Sequence, residues 1–383
     1  MHKLRIFTLS MLALASAIVW QTLTAPEVAA AVARGLTAGR PDVEVSCLPV
    51  ADGGDGTLAA ALAAGYEAVP VSATGPTGEP VQTAYARLGD VAVVEMADVS
   101  GLGRLPGGRF APRTATSRGT GEVVAAALAA GARRVVLGIG GSATTDGGAG
   151  LLEALGAQLL DAGGAPVGPG GAGLERLARV DVSGVAAVLR GAEVVVACDV
   201  DNPLTGPSGA ASVYGPQKGA DRDDVAYLDG CLARLADAVA EATGRDLRDE
   251  PGAGAAGGVG FAALAVLGAQ LRPGIDLMLD LLGFDRLVAG AELVVVGEGS
   301  LDEQSLRGKA PVGVARRARA AGVPAVVAVC GRRDLDDAAL REAGIDAAAA
   351  LTDLEPDPDR CMAEAGPLLE RLAQRIAAEF LPA

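Results

Sequence analysis

The chain contains a single histidine, His2, beside the initiator methionine. That scarcity removes the Ser-His-Asp triad, the Cys-His pair, the HExxH zinc site and any histidine acid–base step from the core. Proton transfer falls to carboxylates, lysine or water. Lysine is nearly as rare: it occurs as Lys3, Lys218 and Lys309, while arginine supplies the other cations. Lysines kept against that background, in GPQKGA and RGKAP, suggest places where a compact point charge is wanted. The alternative is chance, because 54 glycines put Gly beside many residues. Aromatic residues make up only 3%, too few for a stacking platform for single-stranded nucleic acid. Lys plus Arg number 32 against 47 for Asp plus Glu, a net charge of -15, so a polyanion is a poor partner. The five cysteines, Cys47, Cys198, Cys231, Cys330 and Cys361, include no C-x-x-C pair. They read as buried reduced thiols of a cytoplasmic protein, not as a disulfide frame or metal site.

What is present suits a folded enzyme-sized chain. It has 383 residues, half of them apolar, and at ~150 residues per domain this suggests two domains. Residues 1–22 differ from the rest. Lys3 and Arg5 precede a nearly uninterrupted apolar stretch from Ile6 to Trp20, shaped like a signal peptide and short for a membrane span of ~20 residues. Export through this segment is therefore the alternative to a cytoplasmic location, and a membrane partner is not expected.

From Leu23 onward, helix and strand patterns alternate. Thr24 and Glu27 form a capping box, followed by Val28, Val32 and Leu36 at helical spacing. Strands are expected at Val43–Val50, near Val69, Val81 and Val91, and at residues 134–139, 193–199, 292–296 and 325–330. Helices are expected after Thr57 and at residues 122–130 and 223–243. This order means an α/β fold with a largely parallel sheet. Residues 76–273 are richer in glycine and read as an inserted α/β domain, with 23–75 plus 274–383 as the discontinuous one. GGAPVGPGGAG at 163–173 reads as a flexible surface loop.

Four segments set acids and glycines just after apolar strands, the edge of an open α/β sheet where ligands bind. ADGGDGT at 51–57 offers Asp52 and Asp55 as a Mg²⁺ ligand, a hydroxyl-orienting group or a base, with Thr57 free to cap the next helix. A simple acidic turn is the competing reading. GIGGSATTDGGAG at 138–150 presents backbone N–H groups at Gly140 and Gly141, hydroxyls at Ser142 and Thr144, and Asp146 for a metal. Its many small residues suit close approach of phosphate oxygens. ACDVDNPLTGPSGAASVYGPQKGA at 197–220 pairs Asp199 with Asp201 as a base or magnesium site, before a turn at Asn202 and the later Lys218. VVVGEGSLDEQSLRGKAP at 294–311 carries Glu298, Gly299, Asp302 and Lys309, the lysine poised to neutralise phosphate from a loop that is not a Walker A motif. Together the loops point to phosphoryl transfer to a small substrate by positioning and charge neutralisation.

These strings, with TAPEVAAAVARGL, ATSRGTGEVV and GIDLMLDLLGFD, resemble the glycerate kinase type 1 family from about Leu23 to the C-terminus. The resemblance implies ATP- and Mg²⁺-dependent phosphorylation of D-glycerate to 2-phosphoglycerate. It also implies two α/β domains, one discontinuous and one inserted, with the active site in the cleft between them. Within that frame Asp199 orients or deprotonates the substrate hydroxyl, with Asp52 second and Lys309 opposite. Asp55, Gly140, Gly141, Ser142, Thr144, Asn202, Lys218, Glu298 and Gly299 line substrate or phosphate, and Asp146, Asp201 and Asp302 serve the metal. One departure stands out. Family members open with a strand and a loop like Ala-Pro-Asp-Ser-Phe-Lys-Gly-Ser, where residues 15–22 here read ASAIVWQT. Ala17 replaces the aspartate and Trp20 the lysine, which points to a shifted frame or misassigned start. Residues 13–20 are apolar enough to supply the family's first strand, so the fold is expected to survive and activity to suffer. The alternatives are a folded remnant that binds without turnover and a kinase for another small hydroxy acid. Nothing in the sequence sets an oligomeric state.

Overall fold

A computed structural model of the chain describes residues 4–11, 23–303, 305–307 and 310–381. Two compact units emerge, Met1–Asp52 with Ile275–Ala383, and Gly53–Gly274. The first crossing thus lies at Asp52, earlier than the boundary expected after residue 75. The reason is pairing: Glu67–Thr74 hydrogen-bonds antiparallel to Pro80–Leu88 and so belongs with the strands that follow.

The discontinuous unit is built on a five-stranded sheet. Its order is Ala347–Ala350, Ala325–Arg333, Ala291–Leu301, Leu4–Met11, Val43–Val50, and every neighbouring pair is parallel. The strand expected at residues 13–20 lies outside the described residues; Leu4–Met11 holds that place in the sheet. It is covered on both faces, with Ile6, Phe7 and Thr8 all buried, as an interior parallel strand must be. Arg5 stays exposed at its start. Helix Ala25–Gly39 begins as expected, the Glu27 carboxylate accepting from the Thr24 backbone N–H at 2.7 Å. It packs with helix Ala365–Phe380 over one core, in which Val28, Val32 and Leu36 meet Leu369, Leu372 and Ile376. From Leu4–Met11 the chain moves to Val43–Val50 on one side, while Ala291–Leu301 leads to Ala325–Arg333 and Ala347–Ala350 on the other. The strand order therefore reverses between Leu4–Met11 and Ala291–Leu301, the switch point where open parallel sheets bind ligands.

The second unit holds a six-stranded sheet ordered Gln270–Arg272, Glu193–Ala197, Arg134–Gly138, Val91–Glu95, Pro80–Leu88, Glu67–Thr74. The first four are parallel. Their C-terminal residues stand in one row, Glu95 beside Gly138, Gly138 beside Ala197 and Ala197 beside Arg272. The amphipathic helix Arg222–Thr243 opens on Asp221, whose carboxylate accepts from Asp224 N–H, and ends at Gly244. The segment expected to be a flexible surface loop is packed at its second half: Gly170 and Gly171 are buried against Thr114 and Thr145. Among the described residues, no helix is long and apolar enough to cross a membrane.

The role of Leu4–Met11 is testable. Ile6 is fully buried, so Ile6→Ala should destabilise the discontinuous unit by about 2–5 kcal/mol through lost packing and a residual cavity. Urea unfolding followed by circular dichroism checks this. An unchanged transition would mean that the segment is not part of the sheet.

Candidate functional site

In the second unit the row of strand ends gathers three of the four glycine–acid loops. Loop 53–57 lies against loop 138–141, and Gly140 N–H donates to the Gly53 carbonyl at 3.0 Å. The approach is backbone to backbone. A Cβ on Gly140 would fall 2.6 Å from Gly54 Cα, and one on Gly138 would fall 2.7 Å from the Gly53 carbonyl oxygen. Gly53 also rests on the Ala197 side chain, which brings in the third loop. Asp55 is half-buried, its carboxylate facing Gly141. Asp52 is half-buried at the end of the other unit's chain segment.

Thr57 was expected to cap its helix, and it does not. Its hydroxyl donates back to the Gly54 carbonyl at 2.7 Å. The helix Thr57–Ala63 is capped by Glu95, whose carboxylate accepts from Gly56 N–H at 3.1 Å and Leu58 N–H at 2.7 Å. Burial pushes the Glu95 carboxyl up to about 7; the two N–H donors oppose that shift, and the charges of Asp55 and Asp98 add to it. The sequence reading passed over Glu95. The signal was there, an acid closing the apolar run Val91–Glu95 as at the other strand ends.

The 138–150 loop is organised from within. Asp146 is fully buried and accepts from Ser117 N–H (2.8 Å), Ser117 Oγ (2.9 Å), Gly148 N–H (3.0 Å) and Gly150 N–H (3.3 Å). Three of the four donors converge on Oδ2 and one on Oδ1, so Asp146 holds the shape of its own loop. Burial raises its pKa against those same hydrogen bonds. Lys218, expected to meet phosphate, is buried behind the loop at 2% exposure. Its ammonium donates to Ser142 Oγ at 2.9 Å and to the Thr144 carbonyl at 2.7 Å. Desolvation pushes it down to about 7, with Asp146 pulling the other way. Thr144 is buried too, and the neighbouring Thr145 hydroxyl is buried without a hydrogen-bond partner. Behind them Ala256, Gly257 and Gly258 turn left-handed at φ 53°, 69° and 97°.

Asp199 and Asp201 are exposed just past the Glu193–Ala197 strand, and Gly274 N–H donates to Asp199 at 2.8 Å. Asn202 is turned inward, donating to the Ser208 carbonyl and accepting from Tyr214. It ties together the two ends of the 202–214 excursion. Cys198 is half-buried and Cys47 exposed, which departs from the expectation of wholly buried thiols; all five cysteines are free. In the discontinuous unit Glu298 is buried within the strand Ala291–Leu301 and accepts from Ser305 Oγ at 2.9 Å. Gly299 follows it, half-buried, and Asp302 accepts from Ser305 N–H at 3.3 Å. Lys309, and the Asp/Lys replacement at Ala17 and Trp20, lie outside the described residues. Among the described residues, no three His, Cys, Asp or Glu side chains converge as a metal cage. Magnesium in phosphoryl transfer needs only one or two carboxylates beside phosphate oxygens and water, and the exposed Asp201 would meet that need.

Residues 16–381 match the model of the glycerate kinase family. The chain belongs to that family. A glycerate kinase of Bacillus subtilis strain 168 is 45% identical over 363 residues, spanning 94% of this chain and 95% of the relative. The glycerate 2-kinase of Escherichia coli K12 is 43% identical over 330 residues, 85% of this chain and 86% of the relative. A crystal structure from Salmonella typhimurium LT2, described as a candidate glycerate kinase 2, superposes with a TM-score of 0.82 at 40% identity over 98% of each chain. Glycerate kinases are phosphotransferases with an alcohol group as acceptor, and the strand-end loops described above are where this member carries its glycines and acids.

Glu95 gives the site a pH signature. Between its ordinary value of 4.5 and about 7 the folded chain holds a proton that the unfolded chain has released. The resulting stability is complete below about 4.5 and is lost as pH rises through about 7. In Glu95→Gln this dependence disappears. Urea titrations at pH 5 and pH 8 should therefore show the parent's stability relative to the variant falling by about 1–3 kcal/mol at the higher pH. A difference independent of pH would contradict the assignment.

Proposed function

We propose that this protein transfers the γ-phosphoryl group of ATP to the 2-hydroxyl of D-glycerate, and that residues 12–22 limit its rate. The observation carrying the reading is the single row of strand ends, Glu95, Gly138, Ala197 and Arg272, from which the 138–150 loop projects in a glycerate kinase family chain. The exposed Asp199 orients the substrate hydroxyl and takes its proton as the oxygen bonds to phosphorus, with Asp52 second to it. The bond from phosphorus to the bridging β-oxygen breaks, and ADP leaves. Gly141 and Ser142 hold phosphate oxygens, the Gly140 N–H being already given to the Gly53 carbonyl; Glu298, Gly299, Asp302 and Lys309 are the candidate groups of the discontinuous unit. Magnesium, when bound, spreads the negative charge of the phosphates. Free thiols and the acidic surface fit a cytoplasmic setting and a small-molecule substrate.

The rate limit rests on the sequence of the segment after the first strand. Leu4–Met11 ends beside the switch point, and the chain that leaves it, residues 12–22, contains no charged side chain. Family loops at that place carry an aspartate and a lysine. Losing one charged group that acts on a transferring phosphoryl costs on the order of 10²–10³ in rate, and two such losses need not add. This uncharged segment also supports a second reading, a protein that binds nucleotide and glycerate without turnover.

A coupled assay for ADP with D-glycerate separates the readings. Replacing residues 16–22 with Pro-Asp-Ser-Phe-Lys-Gly-Ser should raise the rate at least about a hundredfold. Equal rates in the two chains would mean the loop is not catalytic, and two silent chains that still bind nucleotide would favour the binding-only reading. In the repaired chain Asp199→Asn should lower kcat by more than about a hundredfold, and a near-parental kcat would remove Asp199 from its role. Phosphorus NMR of the product distinguishes the 2-phosphate from the 3-phosphate, and a panel of small hydroxy acids tests the choice of acceptor.

A further inference from the structure

A buried ammonium is an expensive way to tie a loop. Lys218 ends the short turn Pro216–Lys218, and Gly219 at φ 88° then reverses the chain beneath Phe110. The lysine is 2% exposed, and among the described residues it has no ion-pair partner within 4.0 Å. Its two hydrogen bonds both end on the 138–150 loop, at Ser142 Oγ and the Thr144 carbonyl. A neutral amide or hydroxyl would brace a loop at lower desolvation cost. The positive charge therefore needs a reason beyond bracing.

The hydrogen-bond chemistry supplies one. In its protonated form Lys218 has only donors, so Ser142 Oγ then accepts from it and turns its own O–H elsewhere, and an anion at the loop favours that form. The Thr144 carbonyl is engaged by the same ammonium, so a negative dipole end that would repel an anion is neutralised. What remains on the loop is the Ser142 hydroxyl as a donor, the N–H groups other than those of Gly140 and Ala143, which are bonded to the Gly53 and Ser100 carbonyls, and the buried lysine. Phosphate oxygens accept and never donate when fully ionised, so such a loop matches them and disfavours neutral ligands that need acceptors.

We propose that Lys218 is a positioning residue that converts the 140–145 loop into a donor-only cradle for the phosphate oxygens of a nucleoside triphosphate, acting through Ser142 and Thr144. The inference rests on the phosphoryl-transfer reading of the same loop. It differs from the expectation that Lys218 touches phosphate, because the side chain lies behind the loop.

Calorimetric titration of the full-length chain with the non-hydrolysable analogue AMP-PNP and Mg²⁺ tests it, and requires no turnover. Lys218→Met, close in volume and uncharged, should weaken binding roughly tenfold or more while thermal stability is kept or raised. Ser142→Ala alone should weaken binding by a similar factor. The double variant should be little worse than either, because the lysine acts through the serine. Parental affinity in Lys218→Met, or losses that simply add, would overturn the inference and leave the phosphate reading standing. Absence of AMP-PNP binding by the parent chain would overturn the phosphate reading and the inference with it. Should Lys218→Met fail to fold, Ser142→Ala carries the test: undiminished affinity there removes the route through which the lysine is said to act.

Discussion

Two glycine backbones pressed together hold the candidate site. Gly53 and Gly54 lie on Gly138 and Gly140 so closely that the Gly140 N–H reaches the Gly53 carbonyl at 3.0 Å. Strand pairing brings Gly138 beside both Glu95 and Ala197, so fixing this one contact fixes the spacing of three loops. Asp55, Gly141 and Ser142 take their places from it, and the Thr57 hydroxyl, bonded to the Gly54 carbonyl, locks the turn from the other side. No side chain can be added at the contact without moving backbone, which is why the segment is written almost wholly in glycine.

Around that contact the molecule accepts costs that a purely structural core avoids. Glu95, Asp146 and Lys218 are each withdrawn from water, and each is offset by short hydrogen bonds to loop atoms. Ala256 holds a left-handed conformation that costs an L-residue about 1–2 kcal/mol. Its neighbour Gly257 supplies the carbonyl that Gly147 N–H needs at 2.9 Å. Buried charge and backbone strain of this kind gather where a loop must stay in one shape before its ligand arrives.

Much of this was legible in the residues. The capping box at Thr24 and Glu27, the strand Val43–Val50 and the acid-bearing loops after apolar runs all carry local signals, and local signals survive folding. Other features depend on distant partners. Leu4–Met11 is as apolar as a leader segment, and only its pairing with Val43–Val50 and Ala291–Leu301 makes it a strand. That Asp146 braces its own loop shows only when Ser117, far away in sequence, is found donating to it twice. Lys218 stands out in the sequence as a retained point charge, but nothing nearby reveals that it is buried and bonded to Ser142 and Thr144. Glu95 was hidden for a different reason: an acid after four apolar strand residues looks like an ordinary strand end unless the helix N-terminus it caps is known.

The most direct test of the account is whether the two loops behave as one body. In Gly140→Ala the added methyl would lie 2.6 Å from Gly54 Cα, so one loop must move away from the other. Hydrogen–deuterium exchange of the full-length parent and variant, followed on peptides covering residues 51–58 and 138–150, reads that movement. The account predicts faster exchange in both peptides together, with the Leu4–Met11 strand and its sheet unchanged. Faster exchange confined to 138–150, with 51–58 exchanging as in the parent, would contradict it.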